Sequence, residues 1–221
     1  MVSLGTATAI ALGSCQSVTT NVNAIMKHDD VPQLSREQQN AFSAFESGQF
    51  SKAVKLFKQA IAIEPDAGLK ATLYNGLGSS HNELNQPTQA IEAYLESLKL
   101  NQQNAQVWVN LGIAQRLIGE YDEALKSYRA ALKLDSSLAT AYSSIGSLRV
   151  LKGQPELAID AFNSAIAIDE NLAVTHGNLA LAYAMVKQFD QAQQSLKRAI
   201  ALGYENGDLV QSRINELKPQ P

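Results

Sequence analysis

The chain has 221 residues, 45% of them apolar, with 18 Lys+Arg against 21 Asp+Glu for a formal net charge of -3. That apolar content excludes wholesale disorder, and the near balance of charge lacks the clustered basic excess a nucleic-acid coat needs. The single cysteine excludes an internal disulfide and the multi-cysteine zinc and iron–sulfur sites. Residues 1–14, MVSLGTATAIALGS, carry no charged side chain. At about 14 residues they fall short of the roughly 20 that a bilayer-spanning helix requires, and a removable export signal fits the length. From Cys15 to residue 33 the chain shows neither helical nor strand periodicity and reads as a flexible tether.

The string Leu12-Gly13-Ser14-Cys15 resembles the bacterial lipobox, although no Lys or Arg precedes it. The resemblance implies cleavage before Cys15, lipidation of its thiol and attachment to a membrane through an N-terminal lipid. Gln16, in place of an Asp, implies by the same resemblance the outer membrane facing the periplasm. If Cys15 is not lipidated, residues 1–14 become a frayed apolar end on a cytoplasmic or thylakoid-type assembly chaperone.

Self-similarity begins at residue 34. Superposing two stretches of the chain brings Gly112 onto Gly146, Gly119 onto Gly153, Ala124 onto Ala158, Tyr128 onto Phe162 and Ala131 onto Ala165, each pair 34 positions apart. One period earlier stand Gly78, Ala90, Tyr94 and Ser97, and one period later Ala180, Ala192, Leu196 and Ala199. A further copy with Gly48, Phe50, Ala53, Phe57, Ala60 and Pro65 is set off by the insertion Gly68-Leu69-Lys70. The five windows are 34–67, 71–104, 105–138, 139–172 and 173–206. In each, two stretches of about 13 residues carry apolar positions at helical spacing, separated by Gly, Asn or Pro, so each window is expected to be a helix–turn–helix. Small residues at the eighth and twentieth places are expected where two helices cross, and the aromatics are expected to fill the gap to the next repeat. After the fifth window, residues 207–221 are expected to form a C-terminal capping helix and tail, with Leu209, Ile214 and Leu217 on its apolar face. At the other end Glu37 and Asn40 put polar residues where the third window is apolar, as a terminal repeat requires.

The third window, with Trp108, Leu111-Gly112, Gly119, Tyr121, Ala124, Tyr128 and Ala131, resembles the tetratricopeptide repeat; only the family's closing Pro is missing, replaced by Ser136. The resemblance covers residues 34–206 and implies an all-α, right-handed superhelical solenoid of about five helix–turn–helix repeats. It further implies a concave groove lined by the first helix of each pair, which would hold a protein or peptide partner. By the same resemblance the groove floor holds Thr72, Asn75 and Ser79; Gln106, Val109, Asn110, Ile113 and Arg116; Thr140, Ser143, Ser144 and Ser147; and Val174, Asn178 and Leu181. This floor is neutral and hydrogen-bonding, without the Lys/Arg cluster of a carboxylate clamp. Asn110, Ser144 and Asn178 recur at the sixth place of successive windows. An amide can donate to a peptide carbonyl and accept from its N–H, so a partial ladder of this kind can hold an extended backbone, resembling the track in the O-linked N-acetylglucosamine transferase repeats. Gly76 interrupts the row. Phe42 and Phe45 have two readings, aromatic anchors for a partner or packing against Phe50 and Phe57.

Chemistry finds no constellation. His28, His81 and His176 lie in the tether and in two different windows, and no zinc-protease, phosphate-loop or nucleophile-elbow motif occurs. Gly76-Leu77-Gly78 mimics a nucleotide loop but sits in repeat register inside an expected helix, and His176 takes the aromatic place of Tyr74, Trp108 and Tyr142. The expectation is a scaffold or assembly factor of the bacterial envelope, with pilus or secretion-channel assembly as the named setting. No catalysis, cofactor, metal, nucleic acid or small-molecule substrate is expected.

Overall fold

The computed structural model describes residues 34–219, which contain eleven α-helices and no strand. The chain divides into two compact units, whose described parts are 34–135 and 136–219. The signal, Cys15 and the tether lie outside the described residues.

The N-terminal unit contains α1 (Arg36–Glu46), α2 (Phe50–Ile63), α3 (Ala67–Glu83), α4 (Pro87–Leu100), α5 (Ala105–Leu117) and α6 (Tyr121–Leu134), packed as the pairs α1–α2, α3–α4 and α5–α6. Side chains cap the first helix of each pair. Ser35 forms a reciprocal capping box with Gln38, the Asp66 carboxylate accepts from Leu69 N at 2.7 Å, and Asn104 accepts from Gln106 N and Val107 N. The inserted Gly68-Leu69-Lys70 continues α3 as an extra N-terminal turn, because Asp66 caps the helix ahead of it.

The C-terminal unit contains α7 (Ala139–Leu151), α8 (Pro155–Ile168), α9 (Ala173–Met185), α10 (Phe189–Ala201) and α11 (Gly207–Leu217), with α11 packed on α9 and α10. The capping helix exists, but its apolar face is shifted by one residue. Val210 and Ile214 are buried and Leu217 packs on the same cluster, whereas Leu209 is 44% exposed. Val210, Ile214 and Leu217 follow the i, i+4, i+7 row of one helix face; Leu209 lies about 100° away from it.

Every pair turns the same way at its fifteenth place, where Gly48, Asn85, Gly119, Gly153 and Lys187 hold positive φ. The following amide then reaches back to close the first helix, as Gln86 N does to His81 O, and Gln154 N to Arg149 O, each at 2.9 Å. The helix crossings are held close by glycine under an aromatic ring. A Cβ on Gly78 would lie 2.6 Å from Tyr94, one on Gly112 2.6 Å from Tyr128, and one on Gly146 2.5 Å from Phe162. In the fifth repeat both partners change together: Ala180 takes the glycine's place and Leu196 the ring's, and both are buried. Tyr94 and Phe162 share core clusters with the first helix of the next repeat, so each ring both covers its own crossing and fills the gap beyond it.

Candidate functional site

Each unit presents a row of first helices, and the residues expected on the groove floor lie along these rows. They are recessed, not solvated. Asn75 is 1% exposed, Asn110 and Asn178 4%, Arg116 6% and Ser144 7%. The amides of Asn75, Asn110 and Asn178 bridge consecutive first helices. In the N-terminal unit Asn110 Nδ2 donates to Asn75 Oδ1 at 3.3 Å, and Gln106 Nε2 donates to Asn110 Oδ1 at 3.1 Å. Asn75, one place before Gly76, thus supplies the rung that the glycine leaves out. Arg116 is partnered within the fold.

The C-terminal unit builds a similar bridge from hydroxyls. Asn178 Nδ2 donates to Ser147 Oγ at 3.3 Å, Ser147 Oγ donates to the Ser143 carbonyl at 3.1 Å, and the Ser143 and Thr175 hydroxyls share a hydrogen bond of 2.8 Å. Thr175 was absent from the expected floor. Its signal was nonetheless present, since the third place is apolar in the other continuous repeats (Leu73, Val107, Ala141) and polar only here. Asn110 and Asn178 each engage one amide N–H in their bridge, and an amide carries a second that can donate to a ligand.

Phe42 meets Phe57 edge to face at 5.1 Å, and Phe45 meets Phe50 at 5.5 Å, both inside the buried cluster of α1–α3, which realises their packing reading. Gly76-Leu77-Gly78 is mid-helix in α3, where a Cβ on Gly76 would fall 2.5 Å from Phe57. His81 Nδ1 bonds Gln86 Oε1 at 2.7 Å across the α3–α4 turn. His176 Nε2 lies 3.0 Å from the Glu170 carbonyl, as Trp108 Nε1 lies 3.0 Å from the Gln102 carbonyl one repeat pair earlier in register. A carbonyl can only accept, so His176 carries its proton on Nε2 and serves as the indole's replacement in tying down the inter-repeat loop.

Burial raises the Tyr94 phenol well above the ordinary tyrosine range, opposed by its hydrogen bond to Ser79 Oγ at 3.3 Å. Burial raises Tyr204 in the same direction. Among the described residues no group of three or more His, Cys, Asp or Glu is placed to hold a metal, and no helix is long and apolar enough to cross a membrane.

A family profile described as Tetratricopeptide repeat matches residues 40–105, 75–139 and 109–173. Among characterised proteins, the chain is similar to Protein O-mannosyl-transferase TMTC3 of Homo sapiens and of Mus musculus, 38% identical over 74 residues in each case. That stretch is 34% of this chain and 8% of either relative, so the chain spans only a small part of their length. Among solved structures it resembles MamA, with TM-score 0.65 and 21% identity over 80% of this chain and 99% of that one. It also resembles pilF of Pseudomonas aeruginosa, with TM-score 0.70 and 18% identity over 81% of each chain. At these identities the likeness is one of fold.

Proposed function

Because this chain belongs to the tetratricopeptide repeat family, whose members are protein-interaction scaffolds, we propose that it is an assembly factor, lipid-anchored through Cys15 in a bacterial envelope, that holds an extended segment of another protein on its first-helix rows. The observation that carries this reading is the pair of neutral polar bridges, Gln106–Asn110–Asn75 and Asn178–Ser147. Each fixes an amide in place before any ligand arrives, so a partner's carbonyls meet donors whose rotamers are already restrained. Ser144 and Arg116 extend the row. Binding of this kind reads a backbone and depends little on partner side chains.

Pilus or secretion-channel assembly is the setting we name, and the shared fold with pilF accords with it. The lipid anchor is tested by metabolic labelling with a fatty acid. Wild-type protein is expected to take up label and Cys15→Ser to lose it, and an unlabelled wild type overturns the anchor. The binding row is tested by affinity capture from membranes with wild type and the Asn110→Ala/Asn178→Ala double variant. Loss of the captured partner at preserved helicity is expected; equal capture by both removes the row from the proposal.

A further inference from the structure

The N-terminal unit also carries a depression whose lining residues take no part in the polar bridges. Its volume is about 430 Å³, and it lies on α4 and the start of α5, with Leu95, Leu98 and Trp108 forming a mostly apolar floor and Glu92, Glu96 and Lys99 at its lip. Trp108, the single tryptophan of the chain, is held there by its Nε1–H bond to the Gln102 carbonyl.

The repeat itself shows that folding does not call for this composition. At the twenty-fifth place, where Leu95 stands 43% exposed, the other repeats carry Lys58, Arg129, Asn163 and Lys197. At the place of Glu92 the flanking repeats of the same unit carry Lys55 and Lys126. An exposed leucine beside a tryptophan has a solvation cost that four sibling repeats avoid. Electrostatics narrows the ligand. Glu96 is paired with Lys99, whereas Glu92 has no ion pair among the described residues and leaves a net negative charge at the lip. Lys126 is neutralised by its own pair with Glu123, but Lys55 and Lys58 on one side and Arg129 on the other, all exposed at matched places, disfavour a cation at the neighbouring repeats.

We propose that this depression docks a segment of a partner protein that presents a bulky apolar side chain next to an arginine or lysine. The apolar group enters between Leu95 and Trp108. The cation lies against Glu92 and the indole, a combination that favours a guanidinium. The flanking basic repeats then restrict docking to one repeat of the unit, which gives the partner a register that a backbone-reading row does not supply.

The test uses the full chain and a displayed library of randomised peptides. Leu95→Lys and Glu92→Lys serve as controls; both install residues that sibling repeats already carry at these places, and retained helicity is checked by circular dichroism. Wild type is expected to enrich peptides with a large apolar residue beside Arg or Lys. Synthetic versions should move the emission of Trp108, and Leu95→Lys should weaken them by about tenfold or more. Glu92→Lys should weaken them by more than it weakens versions with the basic residue replaced by Gln. No enrichment, enrichment of peptides without a basic residue, or binding indifferent to Leu95→Lys overturns the proposal. So does an indole already shielded from iodide in the free protein: shielding lost on dilution assigns the depression to a second copy, and shielding unaffected by dilution assigns it to the protein's own chain.

Discussion

The two units use one period but satisfy their helix ends and inter-helix gaps with different chemistry. In the N-terminal unit the first helix of every pair begins at a capping side chain, Ser35, Asp66 or Asn104. In the C-terminal unit none of the five helices has a side-chain cap, and Leu138 and Leu172 occupy the place that Asn104 holds. Amides bridge the first helices in one unit; hydroxyls carry most of the bridge in the other. Both units nevertheless keep the same turn, with positive φ at the fifteenth place, and the same close crossing. The difference teaches that caps and bridges are interchangeable parts, each contributing about 1 kcal/mol, while the crossing is the element that cannot be exchanged one residue at a time.

The sharpest way to break that contrast is to fill a crossing. Gly112→Leu in the N-terminal unit and Gly146→Leu in the C-terminal unit should each destabilise by about 1–3 kcal/mol, because their first added carbon already meets a buried ring. Melting temperatures unchanged in both would show that the crossing is not the common element. The Ala180–Leu196 pair supplies a refinement: Gly146→Ala combined with Phe162→Leu should cost less than the sum of the single changes, as a double-mutant cycle would read.

Alkaline titration is next in size. The folded state holds the Tyr94 proton above the pH at which the unfolded chain, with an ordinary phenol near 10, releases it. Its contribution is therefore complete below about pH 10 and falls as pH rises further, by about 1.4 kcal/mol per pH unit. Tyr94→Phe should flatten that slope in denaturant melts taken from pH 9 to 11; an unchanged slope removes Tyr94 from the account.

Smaller effects separate the bridges. Asn110→Ala strands both Gln106 Nε2 and Asn75 Oδ1 and should cost about 1–2 kcal/mol, whereas Asn178→Ala strands only a serine hydroxyl that keeps its bond to Ser143 O and should cost less. Equal costs in chemical denaturation would mean the two bridges are equivalent. For the caps, Asn104→Ala should cost about 1 kcal/mol. Smallest of all, Lys187→Gly should stabilise the C-terminal unit by up to about 1 kcal/mol, since Lys187 turns at φ 62 where three sibling repeats use glycine. A fall in melting temperature with that substitution would argue that the Lys187 side chain contributes more than its backbone strain costs.

The period alone was enough to determine the helix pairs, the glycine and alanine crossings, the turns and the existence of a terminal helix. These rest on short-range constraints, apolar spacing along a helix and the volume of a single residue, and a linear string states both. Some features needed the tertiary structure. Leu209 and Val210 are neighbours of similar hydrophobicity, and only the docking of α11 on α9 and α10 decides which is buried. Phe42 and Phe45 suited two readings until Phe57 and Phe50 were seen against them. Asn110 and Asn178 lie on first helices, as the period implies, but their pairing with Asn75 and Ser147 depends on how consecutive first helices are offset. That offset follows from side-chain packing across more than thirty residues of intervening chain, and no single window of sequence records it.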